Sequence, residues 1–120
     1  MSNPPTKGPY TPAIRCGNLL FCSGQIGVDL GSGKLVEGGT LAQLRQALAN
    51  LDSLLKTEGL GADRVVKTTV FLVDMAEFAA VNEGYASYFQ ASPRPARSCV
   101  AVTALPLGAR VEIEAIARLP

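Results

Sequence analysis

Val65-Val66-Lys67-Thr68-Thr69-Val70-Phe71-Leu72-Val73 decides how this chain folds. The run is dense in β-branched and aromatic residues, which suit a pleated strand. Its first half mixes polar and apolar positions. Its second half is apolar at every position, so neither face of the strand favours water. The spacing predicts a central strand over Val65–Val73, buried on both sides.

The flanking segments are helical. Upstream, Leu41, Leu44, Leu48, Leu51 and Leu55 recur every three or four residues, with Ala47 and Leu54 beside them. Gln43, Gln46, Asn50 and Ser53 lie off that stripe. Thr40 reads as the N-cap and Gly59 as the residue that stops the helix. Downstream, Asp74 reads as the cap of a second helix, with Phe78, Val81, Tyr85 and Phe89 on its inner stripe. Asn82 lies next to that stripe.

Outside these lie four more strands. Ala13–Cys16 and Leu19–Ser23 flank Gly17-Asn18, a tight-turn pair, and form a hairpin. The Gly24 after Ser23 marks a bulge or a close backbone approach. Ala96–Val102 and Val111–Ala117 follow the second helix. In the last strand Val111, Ile113, Ala115 and Ala117 share one face, while Glu112, Glu114 and Ile116 share the other. The order β-β-α-β-α-β-β predicts one α+β domain over residues 1–120, with both helices on one face of the sheet. Two helices cannot cover both faces. The second face therefore calls for another copy of the chain, with the functional site between subunits.

Composition narrows the chemistry. The chain has 120 residues, 48% of them hydrophobic and 18% charged, which suits a folded core. A net charge of +1 offers no basic field for nucleic acid or a membrane surface. No run of about 18 apolar residues is present to span a bilayer. The N-terminal Met1–Lys7 segment lacks the apolar core of a signal peptide, residues 1–9 read as a mobile or draped end, and a cytoplasmic location is expected. The odd count of three cysteines suits reduced thiols. Histidine is absent altogether, which removes Ser-His-Asp and Cys-His catalysis and histidine metal sites. Catalysis must use Arg, Glu, Asp, Lys, Tyr, thiol, backbone and water.

The run Arg94-Pro95-Ala96-Arg97-Ser98-Cys99-Val100 is the most chemically loaded. A guanidinium at the mouth of an apolar strand is costly unless it meets an anion, and its flat fork suits a carboxylate. Arg97 is thus a candidate clamp for a small acid. The competing reading is an ordinary ion pair with Glu112 or Glu114 across adjacent antiparallel strands. Cys99 shares Arg97's face but has no base to activate it, so a small thiol lining a pocket is expected. Arg94 is either a second anion contact or a solvated side chain.

Several segments, taken together and in order, resemble the RidA/YjgF family of reactive enamine/imine deaminases. They are Gly8-Pro9-Tyr10, Ser23-Gly24-Gln25-Ile26, Gln46–Leu51, Val66–Val70, Phe78–Asn82, Pro95–Val100, Leu105-Pro106 and Glu112–Ala117. The resemblance implies a chorismate-mutase-like fold and a homotrimer with clefts between subunits. It implies hydrolysis of 2-aminoacrylate and related enamines or imines to 2-oxo acids and ammonia, with no cofactor and no metal. Arg97 then holds the substrate carboxylate and Glu112, rather than Glu114, positions water. Tyr10, Ser23, Asn82 and Cys99 fall on pocket-lining positions. Thr11-Pro12 departs from the family's usual Ser-Gln, and Arg94 from a position often aromatic. A non-catalytic binder of 2-oxo acids using the same clamp is the alternative. RNA cleavage or chaperone-like protection ranks third.

Overall fold

The computed structural model describes residues 8–120, and the expectations for Met1–Lys7 lie outside them. Strands β1 (Ala13–Cys16) and β2 (Leu19–Ile26) precede helix α1 (Gly39–Thr57) and strand β3 (Val65–Leu72). Helix α2 (Phe78–Tyr88), β4 (Ala96–Ala101) and β5 (Val111–Arg118) complete the expected order. The five strands form one sheet in the order β1-β2-β5-β3-β4. Only the β3–β4 pair is parallel, so the sheet is mixed.

This topology corrects one expectation. Ala96–Ala101 and Val111–Arg118 are not neighbours, because β3 runs between them. A helical crossover returns the chain parallel to the strand it left, so α2 delivers β4 beside β3 on the sheet's edge. The last strand fills the remaining gap between β2 and β3.

The helix-facing side of the sheet is the core. Leu20, Val70, Leu72, Val111, Ile113 and Ala117 are buried there against Leu44, Leu48, Leu51 and Leu55 of α1 and Val81 and Phe89 of α2. Two residues off the α1 leucine stripe prove to be internal ties. Buried Asn50 donates through Nδ2 to the carbonyls of Ile26 and Val28, and Gln43 accepts from the Arg110 amide at 2.8 Å. These bonds satisfy backbone groups where β2 ends and β5 begins. The helix cap differs from the expected one. Gly38, at φ 112°, takes the N-cap position, while Thr40 is buried in the first turn and accepts from Arg110 Nε at 2.9 Å. A left-handed φ is where glycine outcompetes threonine. Gly59 ends the helix as expected, at φ 74°. Asp74 caps a 3-10 turn that leads into α2, accepting from the Ala76 amide.

Helix α1 sits directly on Gly27. A Cβ there would lie 2.5 Å from the Gln43 carbonyl oxygen and 2.6 Å from its Cα. Backbone cannot rotate aside as a side chain can. Gly27→Ala is therefore expected to destabilise the fold by about 3 kcal/mol, the upper end for overpacking. A urea midpoint shifted down at unchanged m-value checks it.

The other sheet face is uncovered by any of the described elements. Ile14, Phe21 and Val100 are exposed there, Phe71 and Ile116 are half-buried, and Lys67, Glu112 and Glu114 stand among them. Of the strand expected to be buried on both sides, Val70 and Leu72 are fully enclosed and Phe71 only partly.

Candidate active site

Arg97 lies on the edge strand β4, in register with Thr68, and so points to the helix-facing side. Its guanidinium carbon rests 4.8 Å from the Tyr85 ring centre and 5.4 Å from that of Phe78. Phe78 and Tyr85 are two helical turns apart on α2, which stacks both rings toward the strand. Tyr85 is held in turn by a 2.7 Å hydrogen bond with Thr68. Burial raises the Tyr85 pKa, against the opposing pull of Thr68, Arg97 and Arg94. Aromatic faces hold a cation flat without neutralising its charge. Arg15 and Arg110 each bind a glutamate at 2.6 Å, whereas among the described residues no carboxylate pairs with Arg97.

Two further residues named from the sequence lie on the elements that hold Arg97. Cys99 follows on the same strand face, packed against the core and half-buried. Burial pushes its thiol pKa up, opposed by Arg97, so it stays protonated at neutral pH and is a poor nucleophile. Asn82 lies on α2 one turn beyond Phe78. Its Oδ1 is buried and has no hydrogen-bond partner among the described residues. Such an acceptor is costly unless a donor meets it. Arg94 is exposed, in line with the solvated reading. Its Nε donates to the Phe89 carbonyl at 2.7 Å, closing the C-terminal end of α2.

A second group of residues assembles around a β-bulge. The β2–β5 register shifts between Cys22 and Gln25, leaving Ser23-Gly24 as the extra residues. The Ser23 hydroxyl donates to the Thr11 carbonyl at 2.7 Å, and its amide to the Pro12 carbonyl at 2.8 Å. These bonds lash the Tyr10–Pro12 segment to the bulge. They use only carbonyls of Thr11 and Pro12, so the proline costs no donor here. Tyr10 is exposed beside them.

Glu112 lies across the bulge. A Cβ on Gly24 would come within 2.1 Å of its Oε2, so the carboxyl occupies the space that glycine leaves free. Burial, and then the neighbouring Glu114, push the Glu112 carboxyl above the usual carboxylate range. Glu114 is exposed and borders two hollows on the uncovered face. One, of about 280 Å³, is shared with Thr11, Phe21, Ser23 and Ile116. The other, of about 140 Å³, is shared with Lys67, Thr69 and Ile116.

The two groups face apart. Arg97 shares the face of Thr68, whereas Glu112 pairs with Phe71 on the opposite face. No ion pair joins Arg97 to Glu112 or Glu114, and one chain does not bring the clamp and the carboxyl together. Register alone accounts for this: odd and even positions of β3 point opposite ways. The sequence reading missed Phe78 and Tyr85 as the seat of Arg97, although their seven-residue spacing on one helix stripe carries the signal.

Comparison with known proteins is extensive. The family model described as Endoribonuclease L-PSP matches residues 1–119. The 2-iminobutanoate/2-iminopropanoate deaminase of Mus musculus is 51% identical over 114 residues, 95% of this chain and 84% of the mouse protein. Reactive Intermediate Deaminase A, chloroplastic, of Arabidopsis thaliana is 48% identical over 97% of this chain and 62% of its own length. The crystal structure of the yeast protein YEO7 superposes with a TM-score of 0.93 at 44% identity, covering 99% of this chain and 94% of that one. E. coli TdcF, solved with bound serine, gives 0.91 at 37% identity over 98% of this chain and 94% of its own.

Proposed function

The chain belongs to the RidA/YjgF family, and on that premise we propose that it is an imine deaminase acting on 2-iminopropanoate and 2-iminobutanoate. The observation that carries this reading is the Arg97 guanidinium, held flat on two rings and paired with no acid among the described residues. A small planar 2-imino acid supplies the missing carboxylate. The deaminase names of relatives 47–51% identical to this chain point the same way.

In the proposed reaction water adds to the imine carbon and gives up a proton to the Glu112 carboxylate. Glu112 returns that proton to the carbinolamine nitrogen, and ammonia leaves as the C–N bond breaks, the hydroxyl proton passing back to the Glu112 carboxylate as the C=O bond forms. The product is the 2-oxo acid. Burial and Glu114 raise the Glu112 pKa, which suits a group that both takes and returns a proton. The unpartnered Asn82 Oδ1 can accept the imine N–H, Cys99 forms a wall, and Tyr10 and Ser23 shape the side holding water. An imine is already electrophilic, so orientation and charge placement suffice without histidine.

Because the clamp and the carboxyl face opposite sides of the sheet, a complete site takes Arg97, Cys99 and Asn82 from one subunit and Tyr10, Ser23 and Glu112 from the next. A closed ring of three satisfies every such site. Sedimentation at micromolar concentration is expected to return three times the 12.5 kDa chain mass. A monomer would sink the composite site.

The activity test generates 2-iminopropanoate in situ with an amino-acid oxidase and follows the rate of its conversion to ammonia and 2-oxo acid. Acceleration over the spontaneous rate is expected. Binding of 2-oxo acids with no acceleration would establish the binder instead.

A further inference from the structure

We propose that Lys67 of one copy forms an ion pair with Glu114 of the next, and that this pair sets the register in which copies of the chain assemble. The proposal rests on the reading that the uncovered sheet face meets a second copy. Both residues stand on that face, Lys67 on β3 and Glu114 on β5. Around them are exposed Phe21, Ile14 and Val100 and half-buried Ile116, an apolar surround that a partner would dry.

Within one chain the two charges leave each other unmet. Lys67 pairs across the ladder with Ile116, and Thr69 with Glu114, so the charges are diagonal neighbours on adjacent strands. Both border the 140 Å³ hollow, yet no ion pair joins them. Lys67 Nζ leans the other way, donating to the Thr68 carbonyl at 2.9 Å and to Ser98 Oγ on β4 at 3.0 Å. An ammonium has three donors, and two are used. Glu114 has no ion pair or hydrogen bond among the described residues. Its acidic neighbour on the same face is Glu112.

Covering this face would strand a cation and an anion in a dry interface, a heavy cost unless they meet oppositely charged groups. The face carries Lys67 and exposed Glu114 side by side at its middle, with half-buried Glu112 beside them and exposed Arg118 at the far end of β5. Copies related by rotation can satisfy both at once, each offering its lysine to one neighbour and its glutamate to the other. A buried pair of this kind contributes little net stability but penalises every misaligned register.

The test is a charge swap followed by sedimentation and native mass measurement. Lys67→Glu and Glu114→Lys are each expected to weaken assembly by about tenfold or more, since each places like charges together. The double variant K67E/E114K restores the pair with its polarity reversed. It is expected to assemble at least about tenfold more tightly than either single variant. Single variants that assemble like the parent, or a double variant no better than the worse single, would overturn the pairing. If a charge-reversed chain does not fold by circular dichroism, K67M and E114Q take its place. Each then leaves one unpaired charge and must weaken assembly, or the pairing fails. A parent chain that is monomeric defeats the assembly reading itself. An assembled parent indifferent to both charges defeats only the pairing.

Discussion

Arg97→Ala is expected to lower kcat/KM for 2-iminopropanoate by about a hundredfold or more, with the fold intact. A bidentate guanidinium–carboxylate contact is worth about 3 kcal/mol when its surroundings are dry, which is about a hundredfold in rate. The side chain makes no ion pair among the described residues, so its removal breaks none there. It uncovers only the rings of Tyr85 and Phe78, whose positions are held by α2 and, for Tyr85, by Thr68. Thermal melts should therefore move little. Arg97→Lys keeps the charge but loses the fork and the flat stacking, so it should recover a minor part of the activity. Full activity in the alanine variant would remove the clamp from the mechanism.

Glu112→Gln is expected to be as damaging, because a positioned acid–base group typically supplies a hundredfold or more. Stability should respond in the opposite sense. The folded-state pKa of Glu112 is raised, first by burial and then by Glu114. A carboxyl that holds its proton more tightly when folded costs stability above its folded pKa, and that cost fades as pH falls below the unfolded value. Glutamine removes the cost, so the variant should melt no lower than the parent at pH 7 and lose this advantage in acid. The parent's activity should fall as pH drops through the raised pKa, since only the carboxylate accepts a proton. An inactive variant that also melts early would indicate structural damage rather than loss of the base. Gly24→Ala provides an independent check, because its Cβ must displace the Glu112 carboxyl without altering it chemically.

Much of this architecture was legible before any coordinates. The alternation of Val111–Ala117, the leucine stripe of α1 and the two-faced Val65–Val73 run specified the elements and their order, because burial period is written residue by residue. The glycine after Ser23 signalled the bulge, since a close approach to a backbone excludes a side chain. Arg97 stood out for the same local reason: a guanidinium on an apolar strand demands an explanation.

Pairing and facing were another matter. Nothing in Ala96–Ala101 says that it lies beside β3 rather than β5, and that choice depends on how the α2 crossover returns the chain. The side chains that seat Arg97 come from a helix ten and more residues upstream, and Glu112 is seated by a glycine from the opposite end of the chain. The capping role moved from Thr40 to Gly38 because the chain enters α1 with a left-handed turn, a backbone requirement that outweighs side-chain preference.

The sequence by itself determined the elements, the two-faced central strand and the short list of groups able to do chemistry without histidine. The tertiary structure decided that Arg97 and Glu112 stand on opposite faces of one sheet. The physical reason is register: a strand's side chains alternate, and Arg97 and Glu112 pair with Thr68 and Phe71, positions of opposite parity on β3, which separates the clamp from the carboxyl.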